Sequence, residues 1–403
     1  MNFTDQGTPK SPTEIKMWEK PPRPHPAKLT DEEIDLKYTT KEERIVTESN
    51  REKLPNFVEA LKRPNYMNVR PFYQRRRRWD TERQSRLIES FIINIPVPPL
   101  FLYETQFNTY EVMDGQQRIT AIKAFYDNQL TLEGLERWPE LNGMTYLKLP
   151  PKIKAGIDRR SISYVVLLTE SAATDEDAVL LKQLVFERLN TGGIRLSNQE
   201  VRNCLYQSRF NNLLIELARN HIFRKAWGLP AFVERELTNP TDSLIENNFY
   251  SRMQDVEVVL RFFALRHAEY YQRGMQGFLD LYMVRAIEFT EEDITVLRNL
   301  FNDSFAMVGE IFGDILFRPF DPKKNEWTKQ PQVAFADAVI VAASRHLADK
   351  AKLILQKDKI TTETKSLFQK YEEGTFTGRG NTKRDVQDRI NLFDSMLTAV
   401  AAL

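Results

Sequence analysis

The stretch Glu111-Val112-Met113-Asp114-Gly115-Gln116-Gln117-Arg118-Ile119 carries the clearest fold signal in the chain. Thr109 to Met113 predicts a strand, Asp114-Gly115 predicts a tight turn, and the apolar spacing that follows predicts a helix. A strand that runs directly into a helix is typical of α/β and α+β proteins.

The same turn predicts an anion site. The first turn of a helix presents backbone N–H groups that the helix itself leaves unbonded, together with the positive end of the helix dipole. Arg118 adds a planar guanidinium that suits a phosphate or a carboxylate. Asp114 could hold a hydrated Mg²⁺ or orient Arg118, and Gln116 and Gln117 offer amides for a ribose, a base or a phosphate. An ordinary Asp-Gly turn explains the spacing equally well.

Around this turn, residues 40–170 alternate between helical and extended patterns. A short helix is predicted from Pro55 to Arg63, and a second one opens at Thr81-Glu82-Arg83-Gln84, which resembles a capping box. The apolar face of this second helix is predicted to consist of Leu87, Ile88, Phe91, Ile92 and Ile95. The apolar face of the helix after Gly115 is predicted to consist of Ile119, Ile122, Phe125 and Tyr126. Extended segments are predicted at 68–72, 100–103, 109–113 and 161–168.

Helical patterns dominate the rest of the chain. Helices are predicted at 175–189, 210–220, 251–272, 291–312, 332–350, 361–371 and 382–402, and Ser197-Asn198-Gln199-Glu200 forms another capping box. The sequence therefore predicts an α+β chain in three parts. These are a Pro-rich irregular arm over residues 1–40, an α/β domain over 41–172 and an all-α domain over 173–403.

The composition describes an ordinary folded protein and excludes several kinds of site. The 403 residues are 28% charged and carry a formal net charge of +1, so any basic surface must be local. One Cys and four widely spaced His exclude a Cys/His zinc site, and neither common phosphate-loop motif occurs. No apolar run approaches a membrane span and no signal peptide is apparent, so we expect a cytoplasmic protein without a membrane partner.

The segment from Arg70 to Trp79 is a dense arginine block with interleaved aromatic residues. Such a block can neutralise phosphates and stack on bases. The alternative is a solvated charge run whose Tyr73 and Trp79 pack into the core. We favour a mixture, in which some arginines face an anionic ligand and Trp79 belongs to the core.

Two further segments could bind an anion. Phe186-Glu187-Arg188-Leu189-Asn190-Thr191-Gly192-Gly193, followed by Glu200-Val201-Arg202-Asn203, predicts a helix, a glycine break and a newly capped helix. An ordinary helical corner, with Glu200 as a capping residue, explains it as well. Thr377-Gly378-Arg379-Gly380-Asn381-Thr382-Lys383-Arg384 could clamp a phosphate or a DNA backbone, although such loops are more often merely mobile.

Taken together, these motifs resemble the GmrS-type N-terminal domain of GmrSD restriction proteins, which are ParB/sulfiredoxin-like. The order is Arg-Pro-x-Tyr-Gln-Arg…Trp, Leu-Ile-Glu-Ser…Ile-Pro-x-Pro-Pro, Asp-Gly-Gln-Gln-Arg, Phe-x-Arg-Leu-Asn-Thr-Gly-Gly and Glu-x-Arg-Asn, over roughly residues 50–210. The chain is also similar to the N-terminal part of the phosphorothioate-sensing protein SspE. The two-domain relatives add an HNH nuclease, whose histidine cluster this chain lacks.

The resemblance implies a ParB-like nucleotide-binding domain in which the Asp-Gly-Gln-Gln-Arg motif binds and hydrolyses an NTP with Mg²⁺. It implies that Asp114 and Arg118 are catalytic and that Asp114 binds the metal. The nucleotide-binding residues it implies are Tyr73, Gln74, Arg75, Asp114, Gly115, Gln116, Gln117 and Arg118. A second motif of less clear role comprises Asn190, Gly192, Gly193, Glu200, Arg202 and Asn203. Candidate DNA-binding residues are Arg76, Arg77, Arg78, Arg379, Lys383 and Arg384.

Three functions stay open on the sequence alone. The first is an NTP-hydrolysing sensor or regulatory subunit of a prokaryotic defence system, with DNA and an HNH-type nuclease as partners. The second is a DNA-binding module without catalysis. The third is a ParB-like domain that itself nicks DNA, which would require a carboxylate-only metal mechanism at Glu111 and Asp114. A homo-oligomer is also left open.

Overall fold

In the computed structural model the chain forms two compact units. The sheet unit spans Pro24–Leu196, and the helical unit combines Met1–Arg23 with Ser197–Leu403. The structure describes residues 10–19, 30–33, 35, 46–68, 79–168, 181, 182, 184, 185, 188, 197–206, 208–237, 240–372 and 374–403. The predicted domain boundary at residues 172/173 lies outside these ranges.

The sheet unit is built on five strands of mixed direction. They are β1 (Thr47–Lys53), β2 (Met67–Asn68), β3 (Leu100–Gln106), β4 (Thr109–Asp114) and β5 (Ser161–Leu167), in the spatial order β1-β5-β3-β4-β2. β1/β5 and β3/β4 are antiparallel, whereas β3/β5 and β2/β4 are parallel. Both strands that the sequence predicts around the turn therefore form, and β4 delivers Asp114 to the end of an interior strand.

In the described part of the sheet unit, four helices pack against this sheet. They are α2 (Leu54–Ala60), α3 (Thr81–Ile92), α4 (Gln116–Tyr126) and α5 (Pro151–Asp158). The predicted apolar face of α4 is confirmed, since Ile119, Ile122 and Phe125 are fully buried in the core and Tyr126 packs against it. Trp79, which we expected in the core, also packs against it while remaining half-buried.

Both ends of α3 differ from the prediction. The N-cap is Asp80 rather than Thr81, because the Asp80 carboxylate accepts a hydrogen bond from the Arg83 N–H at 2.7 Å. Gln84, expected to close a capping box with Thr81, instead donates to the Trp79 carbonyl oxygen at 3.0 Å. Ile95 is 54% exposed, because the helix ends at Ile92 and Ile95 lies beyond its apolar face.

The helical unit contains a succession of helices, as predicted. Those after residue 196 are α6 (Asn198–Leu205), α7 (Arg209–Leu217), α8 (His221–Ala226), α9 (Asp242–Glu246), α10 (Asn248–Ser251), α11 (Gln254–Leu265), α12 (Gly274–Arg285), α13 (Glu291–Phe312), α14 (Val333–Arg345), α15 (Lys350–Leu355), α16 (Lys357–Lys370) and α17 (Lys383–Ala401). Every residue from Ala334 to Ser344 is buried, so α14 forms the centre of this unit.

The second half of the chain is not purely α-helical. A two-stranded antiparallel hairpin, β6 (Phe320–Asp321) and β7 (Glu326–Trp327), lies between the helices predicted at 291–312 and 332–350. The rings of Phe320 and Trp327 pack edge to face across it with centroids 5.3 Å apart, a contact of the kind that stabilises short strand pairs.

The N-terminal arm also differs from the prediction. Pro12–Lys16 forms a one-turn helix, α1, where we expected irregular structure. Pro12 occupies the first helical turn, and Ser11 and Glu14 form a reciprocal capping box. Across the described residues, no helix combines the length and the apolar character that crossing a bilayer requires.

Candidate functional site

The Asp114-Gly115 turn joins the end of β4 to the start of α4. Asp114 is still paired with Phe101 of β3, and Gly115 then adopts φ 98° and ψ 8° as the N-cap of the helix. Residues with a Cβ rarely adopt this conformation. The turn therefore requires glycine for its backbone geometry alone.

The packing around Gly115 also requires glycine. A Cβ on Gly115 would lie 2.3 Å from Cδ2 of Leu100 and 3.0 Å from Nη2 of Arg118. The space that a side chain would occupy is filled by the Arg118 guanidinium and by the first residue of β3. The glycine thus allows a cation to lie against the backbone of the turn.

Arg118 is held in this position by contacts at the end of β4 and just before the start of β3. Its Nη2 donates to Oδ2 of Asp114 at 2.6 Å and to the carbonyl oxygen of Pro99 at 3.4 Å. The side chain is only 13% exposed. Within the described part of the chain its buried Nε has no hydrogen-bond partner. A buried, unsatisfied charged donor is costly in free energy, and a bound acceptor would remove that cost.

The N-terminus of α4 adds further donors beside this guanidinium. Its N-cap is glycine, which has no side chain to accept the first-turn N–H groups. The helix is 11 residues long, so its dipole places partial positive charge at the same end. The turn therefore combines a guanidinium, backbone donors and a helix dipole that all favour an anion.

The two acidic residues of this region have different surroundings. The Asp114 side chain is 42% exposed and is paired with Arg118. The Glu111 side chain is only 11% exposed, and Lys182 lies 2.8 Å from its Oε2 and 4.2 Å from the ring centre of Tyr103. Lys182 neutralises Glu111, so the two carboxylates do not form a free pair. The described residues contain no group of three His, Cys, Asp or Glu side chains arranged to hold a metal.

Gln117 connects the turn to the end of the arginine block. Its Oε1 accepts a hydrogen bond from the Trp79 backbone N–H at 3.3 Å, and Gln84 donates to the Trp79 carbonyl at 3.0 Å. Gln116 lies half-buried in the first turn of α4. The structure thus brings Trp79 to the motif. The predicted residues Tyr73, Gln74, Arg75, Arg76, Arg77 and Arg78 lie outside the described residues.

The second predicted motif is described only in its downstream half, since Asn190, Gly192 and Gly193 lie outside the described residues. Glu200 closes a capping box with Ser197, as predicted. Arg202 is 1% exposed and donates to Asp280 at 2.7 Å and to Glu257 at 2.9 Å. Both side chains belong to the helical unit: Glu200 stabilises the start of α6, and Arg202 joins α6 to α11 and α12.

Asn203 is the remaining residue of that motif. It is buried, and its Oδ1 accepts a hydrogen bond from Nδ2 of Asn211 at 2.8 Å. This bond joins α6 to α7 within the helical unit.

Comparison with known proteins shows which protein family part of the chain matches. Residues 55–207 match the family model for the GmrSD restriction endonuclease, N-terminal domain. The chain carries a GmrSD-type N-terminal domain. Searches of curated proteins and of solved structures found no significant match. The match indicates a role in a restriction system.

The GmrSD-type domain, as matched, begins in α2 and ends just after α6. It includes the whole Asp-Gly-Gln-Gln-Arg turn and also the Glu200–Asn203 stretch of the helical unit. The matched region therefore extends past the end of the sheet unit at Leu196.

Glu89 is a residue of the GmrSD-type domain whose role we did not predict. Its carboxylate is buried and accepts hydrogen bonds from the backbone N–H groups of Arg137 at 2.7 Å and Trp138 at 3.0 Å, with Glu136 more distant at 3.4 Å. It therefore holds the loop after α4 onto α3. In the sequence, the only sign of this role was that Glu89 is a polar residue among the apolar residues of α3.

The Gly-rich loop outside the matched region offers fewer free cations than its sequence suggested. Lys383 donates to the carbonyl oxygen of Glu269, and Arg384 lies 3.5 Å from Asp388. Arg379 is exposed, but it too has interactions of its own. The DNA contacts expected here would compete with these bonds.

Proposed function

We propose that the chain is an NTP-binding and NTP-hydrolysing regulatory subunit of a prokaryotic restriction system that acts on foreign or modified DNA. A nuclease partner would cut the DNA in trans. The observation that carries the proposal is the Arg118 guanidinium lying against Gly115 at the N-terminus of α4, with its buried Nε unpartnered among the described residues. The family match supports the restriction role, and the motif resemblance supports the nucleotide.

A phosphate group fits the donors of this turn. The guanidinium and the first-turn amides would bind phosphate oxygens, and Arg118 would stabilise the negative charge that develops during phosphoryl transfer. Arg118 is at present paired with Asp114. An incoming phosphate competes for that guanidinium and would release the Asp114 carboxylate.

The released carboxylate is the residue that fits Mg²⁺. Asp114 is the more exposed acid of the turn, whereas Glu111 is already neutralised by Lys182. A single carboxylate with several waters suits Mg²⁺, which usually binds together with substrate phosphates. When bound, Mg²⁺ neutralises charge on the phosphate oxygens.

The experiment measures NTP binding and NTP turnover by the full chain with and without Mg²⁺. We expect Arg118→Ala to lower kcat/KM roughly 100- to 1,000-fold, the usual loss for a preorganised transition-state donor. Asp114→Asn should weaken the Mg²⁺ dependence. The matched control is Lys123→Ala, which breaks the Lys123–Asp127 pair at the other end of the same helix and should leave turnover unchanged.

Three outcomes separate this function from its alternatives. Equal turnover by wild type and Arg118→Ala would refute nucleotide hydrolysis at this turn. Nucleotide-independent DNA binding that falls steeply with salt would indicate a DNA-binding module instead. Mg²⁺-dependent plasmid nicking by the purified chain, abolished in Asp114→Asn, would place the nuclease activity in this domain.

A further inference from the structure

The N-terminal segment Lys10–Glu19 packs into the helical unit, although residues 24–196 separate it in sequence from the rest of that unit. Its helix α1 has only five residues. An isolated helix of that length is not stable in water. Side-chain contacts with the helical unit must therefore hold the segment in place.

The main polar contact is a fully buried carboxylate. Glu14 is 0% exposed and accepts from the Ser11 N–H of its own capping box at 3.3 Å. The helical unit adds three side-chain donors: Nη2 of Arg266 at 2.9 Å, Nε2 of His267 at 2.8 Å and the hydroxyl of Tyr282 at 3.0 Å. Arg266 and His267 follow the end of α11, and Tyr282 lies on α12. We call these three side chains the carboxylate socket.

Trp18 forms a second contact one helical turn later. Its ring stacks on Tyr270 with centroids 4.5 Å apart and lies under the guanidinium of Arg285 at 4.8 Å. The indole N–H donates to Nδ1 of His267 at 3.0 Å. His267 therefore accepts at Nδ1, which fixes the neutral tautomer that donates from Nε2 to Glu14.

The charges at this contact are consistent with that arrangement. Burial lowers the pKa of His267 and outweighs the opposing effect of Glu14, while Arg266 and Lys10 lower it further. Burial alone would raise the pKa of Glu14, but Arg266 and His267 hold it well below its usual range. Tyr282 has a pKa raised by burial and by Glu14, so it stays a donor. The socket therefore contains an ionised carboxylate beside a neutral imidazole.

Much of the segment faces outward. Ile15 is 56% exposed, and Lys16 and Glu19 are also exposed, whereas Met17 is buried and its carbonyl oxygen accepts from Arg285 at 2.6 Å. The inward contacts are made by Ser11, Glu14, Met17 and Trp18, and Lys10 lies 3.6 Å from Glu269. This pattern is that of a short peptide bound by a few anchor residues in a groove.

We propose that residues 10–19 are a detachable strap, a peptide ligand that the helical unit binds through the carboxylate socket and can release. A buried ion pair gives specificity but little net free energy, because desolvation offsets most of the attraction. The chain passes between the two units at Arg23–Pro24 and at Leu196–Ser197, and release of the strap breaks neither bond.

The test uses the full chain with a protease recognition sequence inserted between residues 23 and 24. After cleavage of the folded protein, we expect the N-terminal fragment to co-elute with the rest of the chain in gel filtration. An excess of fluorescein-labelled peptide of residues 8–21 should then replace it, as measured by fluorescence anisotropy.

Substitutions are placed in the added peptide, so that the folded protein is unchanged. Peptide Glu14→Gln should bind roughly 10- to 100-fold more weakly, the effect of losing a charged acceptor. Peptide Glu19→Gln is the matched control and should bind like wild type. A fragment that never exchanges, or equal binding by the Glu14→Gln peptide, would overturn the proposal.

Discussion

Replacing Gly115 with Ala tests whether the turn depends on both backbone conformation and packing. The positive φ should cost about 1–2 kcal/mol, and overpacking against Leu100 and Arg118 about 1–3 kcal/mol more. We therefore expect Gly115→Ala to destabilise the sheet unit by about 2–5 kcal/mol. For a unit of this size, that corresponds to a fall in Tm of about 4–20 °C.

Gly143 is the matched control for the backbone contribution. It has φ 82°, but a Cβ there would meet no atom within 4 Å. Gly143→Ala should therefore cost only the conformational strain, about 1–2 kcal/mol. The difference between the two variants measures the packing contribution at Gly115.

A double-mutant cycle identifies the clashing atom. The nearest atom to the added Cβ is Cδ2 of Leu100, which Leu100→Val removes at a cost of about 1 kcal/mol. We expect Gly115→Ala to be less harmful in the Leu100→Val background, with a coupling of about 1 kcal/mol or more in thermal or urea unfolding. Equal Tm values for Gly115→Ala and Gly143→Ala, with no coupling to Leu100, would refute the reasoning.

Three further predictions concern buried polar groups. Glu89→Gln should destabilise the sheet unit by about 1–3 kcal/mol in urea unfolding, because the amide leaves a backbone donor unsatisfied. Glu136→Gln, at an exposed side chain, should change the free energy of unfolding by less than about 0.5 kcal/mol. Arg202→Ala should lower the free energy of unfolding of the helical unit by about 3 kcal/mol in the same assay, because two carboxylates lose their buried cationic partner. Arg209→Ala, which removes an exposed ion pair, should lower it by under about 1 kcal/mol. The pKa of His267 is lowered when the strap is docked, so below about pH 6.5 the released state binds a proton that the docked state does not. Release of the cleaved strap should therefore increase from pH 7.5 to pH 5.5, and a flat profile would contradict this.

The predictable part of the fold followed from apolar periodicity. β3, β4 and α4 were predicted because their buried residues alternate or recur at helical spacing on one face. β1 was not predicted, since its sequence Thr47-Glu48-Ser49-Asn50-Arg51-Glu52-Lys53 has no apolar face and its residues are exposed or half-buried. This strand forms because β5 offers it an antiparallel partner, which no local pattern reveals.

The contacts of the candidate site were likewise only partly predictable from the sequence. Spacing placed Asp114 and Arg118 one helical turn apart, and the structure joins them at 2.6 Å. Spacing could not show that Lys182 neutralises Glu111, or that Gln117 holds the backbone of Trp79. Those contacts join residues 38 or more positions apart, and they depend on how the strands and loops pack.

The sequence by itself determined the strand–turn–helix around Gly115, because turn chemistry, helix periodicity and the positive φ of the turn are local properties. Tertiary structure alone decided which charged groups meet. It paired Glu14 with Arg266, 252 positions away, and it enclosed Arg202 with Asp280 and Glu257. A charge on a side chain is encoded locally, but its partner is set by desolvation and by the packing of distant elements.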